Sequence, residues 1–236
     1  MIDTNDSEFL SRVEGAALKE KICDAKTAAA MIQPGDILGI SGFTPCGYPK
    51  ITMHELAERM KETPFQVDVW TGASTGSQID SELIAVNGVR VRMPYQTNGN
   101  LRKAINAGAL DYFDLHLSHV AQQIRAGFFT NAKGERVTGP DVAVVEVCKI
   151  GPNGELYTTT AIGNSPVFVD TAKKVIVEVN TTQPLALVGM ADIYMRKNPP
   201  HCEPIPITSA GDRVGTPYIP CDPAKIVAIV PCDLPD

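Results

Sequence analysis

Asp36-Ile-Leu-Gly-Ile-Ser-Gly-Phe-Thr-Pro-Cys-Gly-Tyr-Pro-Lys50 is the stretch whose reading decides the fold. Its first five residues are a short apolar run of the kind that forms a buried strand. Glycines at 42 and 47 punctuate the loop that follows, and Pro49 stands where a first-turn proline belongs. Thr52 to Lys61 then has helical patterning, and Gln66 to Trp70 returns to a strand. Strand, glycine-bearing loop, helix, strand is the unit from which parallel sheets are built.

The pattern extends in both directions. Leu10 to Ile22 reads as an amphipathic helix, and Asp24 as an N-cap for a helix over Ala25 to Ile32, ended by Pro34-Gly35. Downstream, Ser81 to Val86 reads as a helix, Val89 to Met93 as a strand, and Asn100 to Ala107 as a helix closed by Gly108. Asp141 to Val147, Lys174 to Val179 and Ala224 to Val230 are buried strands, and Gly151-Pro-Asn-Gly154 is a hairpin turn into Glu155 to Thr159. Gln183 to Pro220 is proline-rich and loop-like. The expectation is one α/β domain with a largely parallel central sheet flanked by helices.

Composition narrows the function classes. The 236 residues are 44% apolar and 20% charged, which excludes a disordered tail or a fibrous repeat. Six cysteines without a Cys-x-x-Cys pair make neither a disulfide scaffold nor a zinc ribbon, and reduced thiols fit a cytoplasmic protein. The polar, acidic N-terminus does not resemble a signal peptide, and no apolar run reaches the ~20 residues that span a bilayer. A net charge of −6 without basic clusters argues against nucleic acid as a partner.

Several motifs could carry chemistry. The Ser41–Lys50 loop is neither a P-loop, since Tyr48 and not Lys-Ser/Thr follows Gly47, nor Gly-x-Gly-x-x-Gly. Its glycines still let a ligand approach the backbone, so Gly42, Thr44 and Gly47 are candidate cleft residues; an ordinary strand–helix turn is the plain alternative. Gly72-Ala-Ser-Thr-Gly76 has the Gly-x-Ser-x-Gly form of a nucleophile elbow, but the oxyanion segment that such hydrolases need is missing. A turn presenting the Ser74 and Thr75 hydroxyls to a polar ligand accounts for it better. His116 and His119 lack a third metal ligand at suitable spacing, so no metal is expected. Glu146 and Glu178, set in apolar strands, must be paired or hydrogen-bonded and stand as secondary candidates. Arg213 in Asp212-Arg-Val-Gly215 could hold a carboxylate through its planar fork, or form a surface ion pair. Met53 and Met60 read as core filler.

In register along the chain, these segments resemble the acetyl-CoA hydrolase/transferase family, in particular the N-terminal half of succinate:acetate-type CoA-transferases. The resemblance rests on Ser41-Gly-Phe-Thr with Gly47-Tyr-Pro-Lys50, Thr71 to Gly76, Pro94-Tyr-Gln-Thr-Asn98, Leu101 to Gly108, Leu117 to Ala121 and Gly163-Asn-Ser165. It continues through Gly189 to Tyr194, Asn198-Pro-Pro200, Glu203 to Ile207 and Gly211 to Gly215.

The resemblance implies a CoA-transferase-like fold over residues 1–236 and ping-pong transfer of CoA between short-chain carboxylic acids. A glutamate would pass through an acyl-glutamyl anhydride and a glutamyl-CoA thioester. In the family that glutamate lies in a C-terminal half, so no nucleophile is named here and the chain alone is expected to be inactive. By the same resemblance Ser74, Thr97 and Arg213 are the carboxylate-binding residues, and Gly42, Thr44 and Gly47 border their cleft. Coenzyme A is implied as a substrate, with no cofactor. The expected partners are acyl-CoA, small carboxylic acids, the C-terminal half and a second copy in a homodimer. An acyl-CoA hydrolase of the same family, a serine hydrolase using Ser74, and a non-catalytic CoA- or carboxylate-binding subunit are the rival readings.

Overall fold

A computed structural model describes residues 3–236. The chain runs α1 (Ser7–Ser11), α2 (Ala16–Lys19), α3 (Ala25–Ala30), β1 (Ile37–Ile40), α4 (Ile51–Glu62), β2 (Val67–Trp70), α5 (Ser77–Ala85), β3 (Val89–Met93), α6 (Gly99–Asn106) and β4 (Asp111–Tyr112). It continues through α7 (Leu117–Arg125), β5 (Phe129–Thr130), β6 (Arg136–Val137), β7 (Val142–Ile150), β8 (Glu155–Thr158), α8 (Ser165–Thr171), β9 (Lys174–Asn180), β10 (Ile219–Pro220) and β11 (Ile226–Cys232).

The main sheet is a row of parallel strands in the order β11-β9-β7-β1-β2-β3-β4. The antiparallel pair β8-β10 attaches along the far half of β7, and β5-β6 forms a separate ribbon. Strand β7 explains why the sheet is covered on both faces. Its Ala143, Val145 and Val147 join one core with Phe168, Val175 and Val177, while Val142 and Val144 join another with Leu38, Leu56 and Ile176. Successive side chains on a strand point to opposite faces, so a run of apolar residues demands a cover on each side.

The sheet, the hairpin and the loop-like stretch after residue 183 are as the sequence indicates. The helix expected over Leu10 to Ile22 is a correction. It is broken into α1 and α2 because Val13 forms a parallel bridge with Ile150 and Glu14 N–H donates to Ile150 O at 3.0 Å. Between the two pieces the Arg12 guanidinium is buried and donates to the carbonyls of Cys148, Asn180 and Gln183, the last at 2.7 Å. Those carbonyls outbid the helical alternative. Helices α7 and α8 escape the pattern reading, and α5 begins four residues earlier than its apolar periodicity indicates. All six cysteines are free. Among the described residues no helix is long and apolar enough to cross a membrane.

Candidate functional site

A parallel sheet delivers the carboxyl ends of its strands to one edge, and ligands of open α/β sheets collect there. The loop Ser41–Lys50 leaves β1 at this edge, Thr71–Gly76 leaves β2, and Pro94–Asn98 leaves β3.

Each loop is fixed from beneath. Buried Arg92 donates from Nε to Asp80 Oδ1 at 2.9 Å and from Nη1 to Thr71 Oγ1 at 2.9 Å and Met93 O at 2.7 Å, so one cation joins the turns after β2 and β3. Asn98 accepts from the backbone N–H of Asn100 and Leu101 at the start of α6, while its amide donates to Ser77 O at 3.0 Å and Ser81 Oγ at 2.8 Å. Gly76 exists for Tyr48: a Cβ there would lie 2.1 Å from the phenol Cζ. Gly72 meets Gly163 and the Gly42 carbonyl, where a Cβ would approach to 3.2 and 3.3 Å, so the loops after β1 and β2 meet the segment before α8 backbone to backbone.

Above this junction opens a cleft of about 580 Å³ lined by Phe43, Gly72, Ala73, Pro94, Tyr95 and the segment Asp114–Leu117. Ser74 and Thr75 are buried in the turn beside it, and among the described residues Thr75 Oγ1 has no hydrogen-bond partner. Thr97 is exposed two residues beyond Tyr95. Gly42 and Thr44 carry positive φ values of 120° and 55° on either side of Phe43, and Gly47 is buried at the loop's base. The structure therefore gathers the loops bearing Ser74, Thr97 and the three loop candidates. Arg213 does not line the cleft: it is exposed, and its Nη1 donates to Ala191 O at 3.1 Å.

The remaining sequence candidates have structural partners. His116 Nδ1 lies 2.7 Å from Ser118 Oγ and caps α7, and among the described residues no histidine is hydrogen-bonded to Ser74. A Ser–His relay is not assembled.

Beside the cleft, under the same sheet edge, lies a charged cluster. Lys50, 2% exposed, places its Nζ 2.6 Å from Glu146 Oε2 and 2.9 Å from Asp236 Oδ1. Glu146 also accepts from Thr159 Oγ1 and from Asn180 Nδ2, both at 2.9 Å. Glu178 takes the backbone N–H groups of Lys50 at 2.6 Å and Thr52 at 2.9 Å, and the Thr52 hydroxyl at 2.9 Å. This carboxylate caps the first turn of α4, where the helix dipole also favours negative charge. Burial raises the Glu146 pKa to about 7, outweighing the pull of Lys50 and the Asn180 hydrogen bond. Burial opposes the Lys50 ammonium as well, but Glu146 and Asp236 together hold its pKa above the ordinary lysine value.

Glu146, Glu178 and Cys232 bring ligand atoms within 4.8 Å of one another, the spacing of a metal site. Their chemistry does not suit one. The carboxylate oxygens are already taken by Lys50 and the α4 amides, and burial pushes the Cys232 thiol up, away from the thiolate that binds metals.

Lys50, Asp236, Asn180 and Thr159 are the residues that pattern reading misses here. Two glutamates within apolar strands require partners, and that signal announces a buried cation without saying which one.

Residues 9–231 match the model of the acetyl-CoA hydrolase/transferase N-terminal domain. The chain belongs to the acetyl-CoA hydrolase/transferase family. Within this family it is 46% identical to the succinyl-CoA:acetate CoA-transferase of Clostridium kluyveri, covering 93% of this chain and 40% of that protein. It is 42% identical to the propanoyl-CoA:succinate CoA transferase of Escherichia coli, over 90% of this chain and 42% of the relative. The acetyl-CoA hydrolase of Schizosaccharomyces pombe is 35% identical over 96% of the chain and 44% of its own length. The chain thus spans about two-fifths of these relatives. Among solved structures, RipA from Yersinia pestis superposes with a TM-score of 0.62 at 17% identity, over 93% of this chain and 44% of RipA. Glutaconate coenzyme A-transferase from Acidaminococcus fermentans does so with 0.55 at 18% identity, over 67% of this chain and 66% of its own. These likenesses show the fold alone, a mostly parallel central sheet flanked by helices.

Proposed function

We propose that this chain is the carboxylate-holding domain of a CoA-transferase that moves CoA between short-chain carboxylic acids. The observation that carries the proposal is the family match over residues 9–231, with the more similar relatives being transferases acting between acyl-CoA and small acids. The chemistry needs a glutamate outside this chain. Its carboxylate attacks the thioester carbonyl, forming an acyl-glutamyl anhydride and releasing CoA thiolate. The thiolate attacks the glutamyl carbonyl, expelling the donor's carboxylate and leaving a glutamyl-CoA thioester. The acceptor carboxylate then repeats the two steps in reverse and leaves as the new acyl-CoA, with the glutamate regenerated. Splitting one exchange into four acyl transfers is the advantage of the covalent route.

In this reading Ser74, Thr97 and Arg213 orient the acid, two hydroxyl donors and one cation lowering the entropy cost of alignment. Gly42, Thr44 and Gly47 keep the neighbouring loop close to the substrate. The protein works in the cytoplasm as a homodimer and uses CoA as a substrate without a cofactor.

The test is to supply succinyl-CoA and acetate to the gene product that carries these residues and to follow acetyl-CoA and free CoA separately. Acetyl-CoA formation dependent on acetate is the expected result. Release of free CoA at the same rate with or without acetate would assign the hydrolase activity that the Schizosaccharomyces pombe relative is named for. Robust transfer by residues 1–236 alone would overturn the placement of the nucleophile elsewhere.

A further inference from the structure

The charged cluster reaches one of the cleft's loops through the carboxylate of Asp236. Among the described residues its Oδ1 accepts from the Gly47 backbone N–H at 3.1 Å and from Lys50 Nζ at 2.9 Å. Its Oδ2 accepts from Thr160 Oγ1 and Gln183 Nε2, both at 3.0 Å. These donors stand on the loops after β1, β8 and β9, so one side chain ties three loops together. The side chain is 17% exposed. Burial works against its charge, yet the hydrogen bond and charge of Lys50, with Thr160 and Gly47, hold its pKa below the ordinary aspartate value. Ionised, it accepts at both oxygens.

Gly47 is where this grip bears on the cleft. The Ser41 hydroxyl donates to the Gly47 carbonyl at 2.8 Å while Asp236 takes its N–H, so the peptide groups on both sides of Gly47 are fixed. Just before it the loop turns outward. Phe43, Thr44 and Pro45 are exposed, the Phe43 N–H donates to Cys46 O at 3.0 Å, and Phe43 lines the cleft. The Cys46 carbonyl that closes this tip and the Gly47 N–H that Asp236 holds are two ends of one planar peptide group. Tilting that group moves Phe43 with it.

Resting on the transferase reading above, we propose that Asp236 is a positioning residue of the transfer reaction, holding the Cys46–Gly47 peptide and, through it, the tip of the Ser41–Lys50 loop at the cleft. It acts through the loop and not on substrate. The rival is an ion pair with Lys50 that only stabilises the fold, and the two carboxylate oxygens separate the readings. Asp236→Asn keeps an acceptor for the Gly47 N–H, and its amide can donate to Thr160 Oγ1 and, once the Gln183 amide turns over, to Gln183 Oε1. Asp236→Ala removes the acceptor. Thr160→Val removes a hydrogen bond from the same carboxylate on the side away from the loop.

The experiment measures kcat and KM of the gene product for succinyl-CoA and acetate, and follows hydrogen exchange of residues 41–50 by mass spectrometry. A misplacement of about 1 Å can cost on the order of a hundredfold in rate. Asp236→Ala is expected to lower kcat by about tenfold to a hundredfold, to change KM for acetate by less than about threefold, and to speed exchange in 41–50. Asp236→Asn is expected to recover kcat to within about threefold of the unaltered protein, and Thr160→Val to leave both readouts in place. Should Asp236→Ala fail to fold, Asp236→Ser, whose hydroxyl is one bond shorter than the carboxylate, carries the same expectation. Exchange in 41–50 unmoved by the loss of the carboxylate, or an equal fall of kcat in Thr160→Val, would leave Asp236 a structural group and overturn the inference. So would an Asp236→Asn variant as slow as Asp236→Ala, since the charge and not the grip on the peptide would then matter. Absence of transfer in the unaltered protein would instead overturn the transferase reading, while the exchange measurement would still decide whether Asp236 holds the loop.

Discussion

Two regions share the carboxyl edge of one sheet and are built on opposite principles. At the ends of β7, β9 and β11 the polar groups are charged, buried and mutually satisfied: Lys50 between Glu146 and Asp236, Glu178 on the amides of α4. At the ends of β1, β2 and β3 the walls are apolar and open, and Thr75 Oγ1 has no partner among the described residues. A satisfied network has no valence left for a ligand, whereas an open cleft beside an unpartnered hydroxyl has. The charges, which attract attention first, are the clamp. The quieter side is the one proposed as the site.

The sharpest way to break this comparison is Lys50→Met, which removes the cation and leaves Glu146 and Asp236 facing each other unpaired. Breaking a buried pair from one side costs about 3–5 kcal/mol. Chemical denaturation of the 236-residue chain should show a loss of that size. A loss below about 1 kcal/mol would mean that water reaches the cluster and that it is no clamp.

Next in size is a pH effect. The Glu146 pKa stands at about 7 against an ordinary 4.5, so the folded state holds this proton more tightly than the unfolded chain does. Its contribution to stability is complete below pH ~4.5 and is lost as pH rises through about 7. At 1.36 kcal/mol for each pH unit, the full change is roughly 3 kcal/mol. Glu146→Gln cannot titrate. The stability of the unaltered chain relative to this variant should therefore fall between pH 5 and pH 8, read as the difference in urea midpoints. A constant difference across that range would contradict the assigned burial effect.

How far these regions are legible in the sequence follows from distance along the chain. The strand–loop–helix–strand unit from Asp36 to Trp70 is visible because its signals are local: apolar runs, two glycines and a proline. Strands β7 and β9 are visible because burial on both faces leaves an unbroken apolar run. Arg12 is not, since the carbonyls that break its helix lie at positions 148, 180 and 183. The same holds for the clamp. Glu146 and Glu178 stand out as carboxylates in apolar strands, but Lys50 lies 96 residues from one and 128 from the other. The loops of the cleft were legible as motifs, through their glycines and hydroxyls. The apolar walls were not, because Phe43, Tyr95 and Leu117 become neighbours only when three loops converge.

Gly76→Ala tests whether the two regions are mechanically joined. Tyr48 touches both: its ring fills the space beside Gly76, and Lys50 Nζ sits 4.4 Å from the ring centre. An added methyl must push the ring aside, and overpacking of this kind costs about 1–3 kcal/mol. Pairing the change with Tyr48→Leu makes a double-mutant cycle. Recovery of at least half the loss in the double variant is expected, and strict additivity would show that the ring is not the obstacle.

The smallest stability effect is expected at Arg213, and it separates binding from architecture. Its guanidinium is exposed and donates to Ala191 O at the surface, so Arg213→Ala should change stability by less than about 0.5 kcal/mol. If Arg213 nonetheless completes the carboxylate site of the gene product, the variant should raise KM for the acceptor acid while the melting temperature stays within a degree or two. Arg213→Lys should recover little, because an ammonium cannot reproduce the two-pronged contact of a guanidinium. Unchanged acceptor kinetics in Arg213→Ala would remove this residue from the site and leave Ser74 and Thr97, whose loops border the cleft, to orient the acid without it.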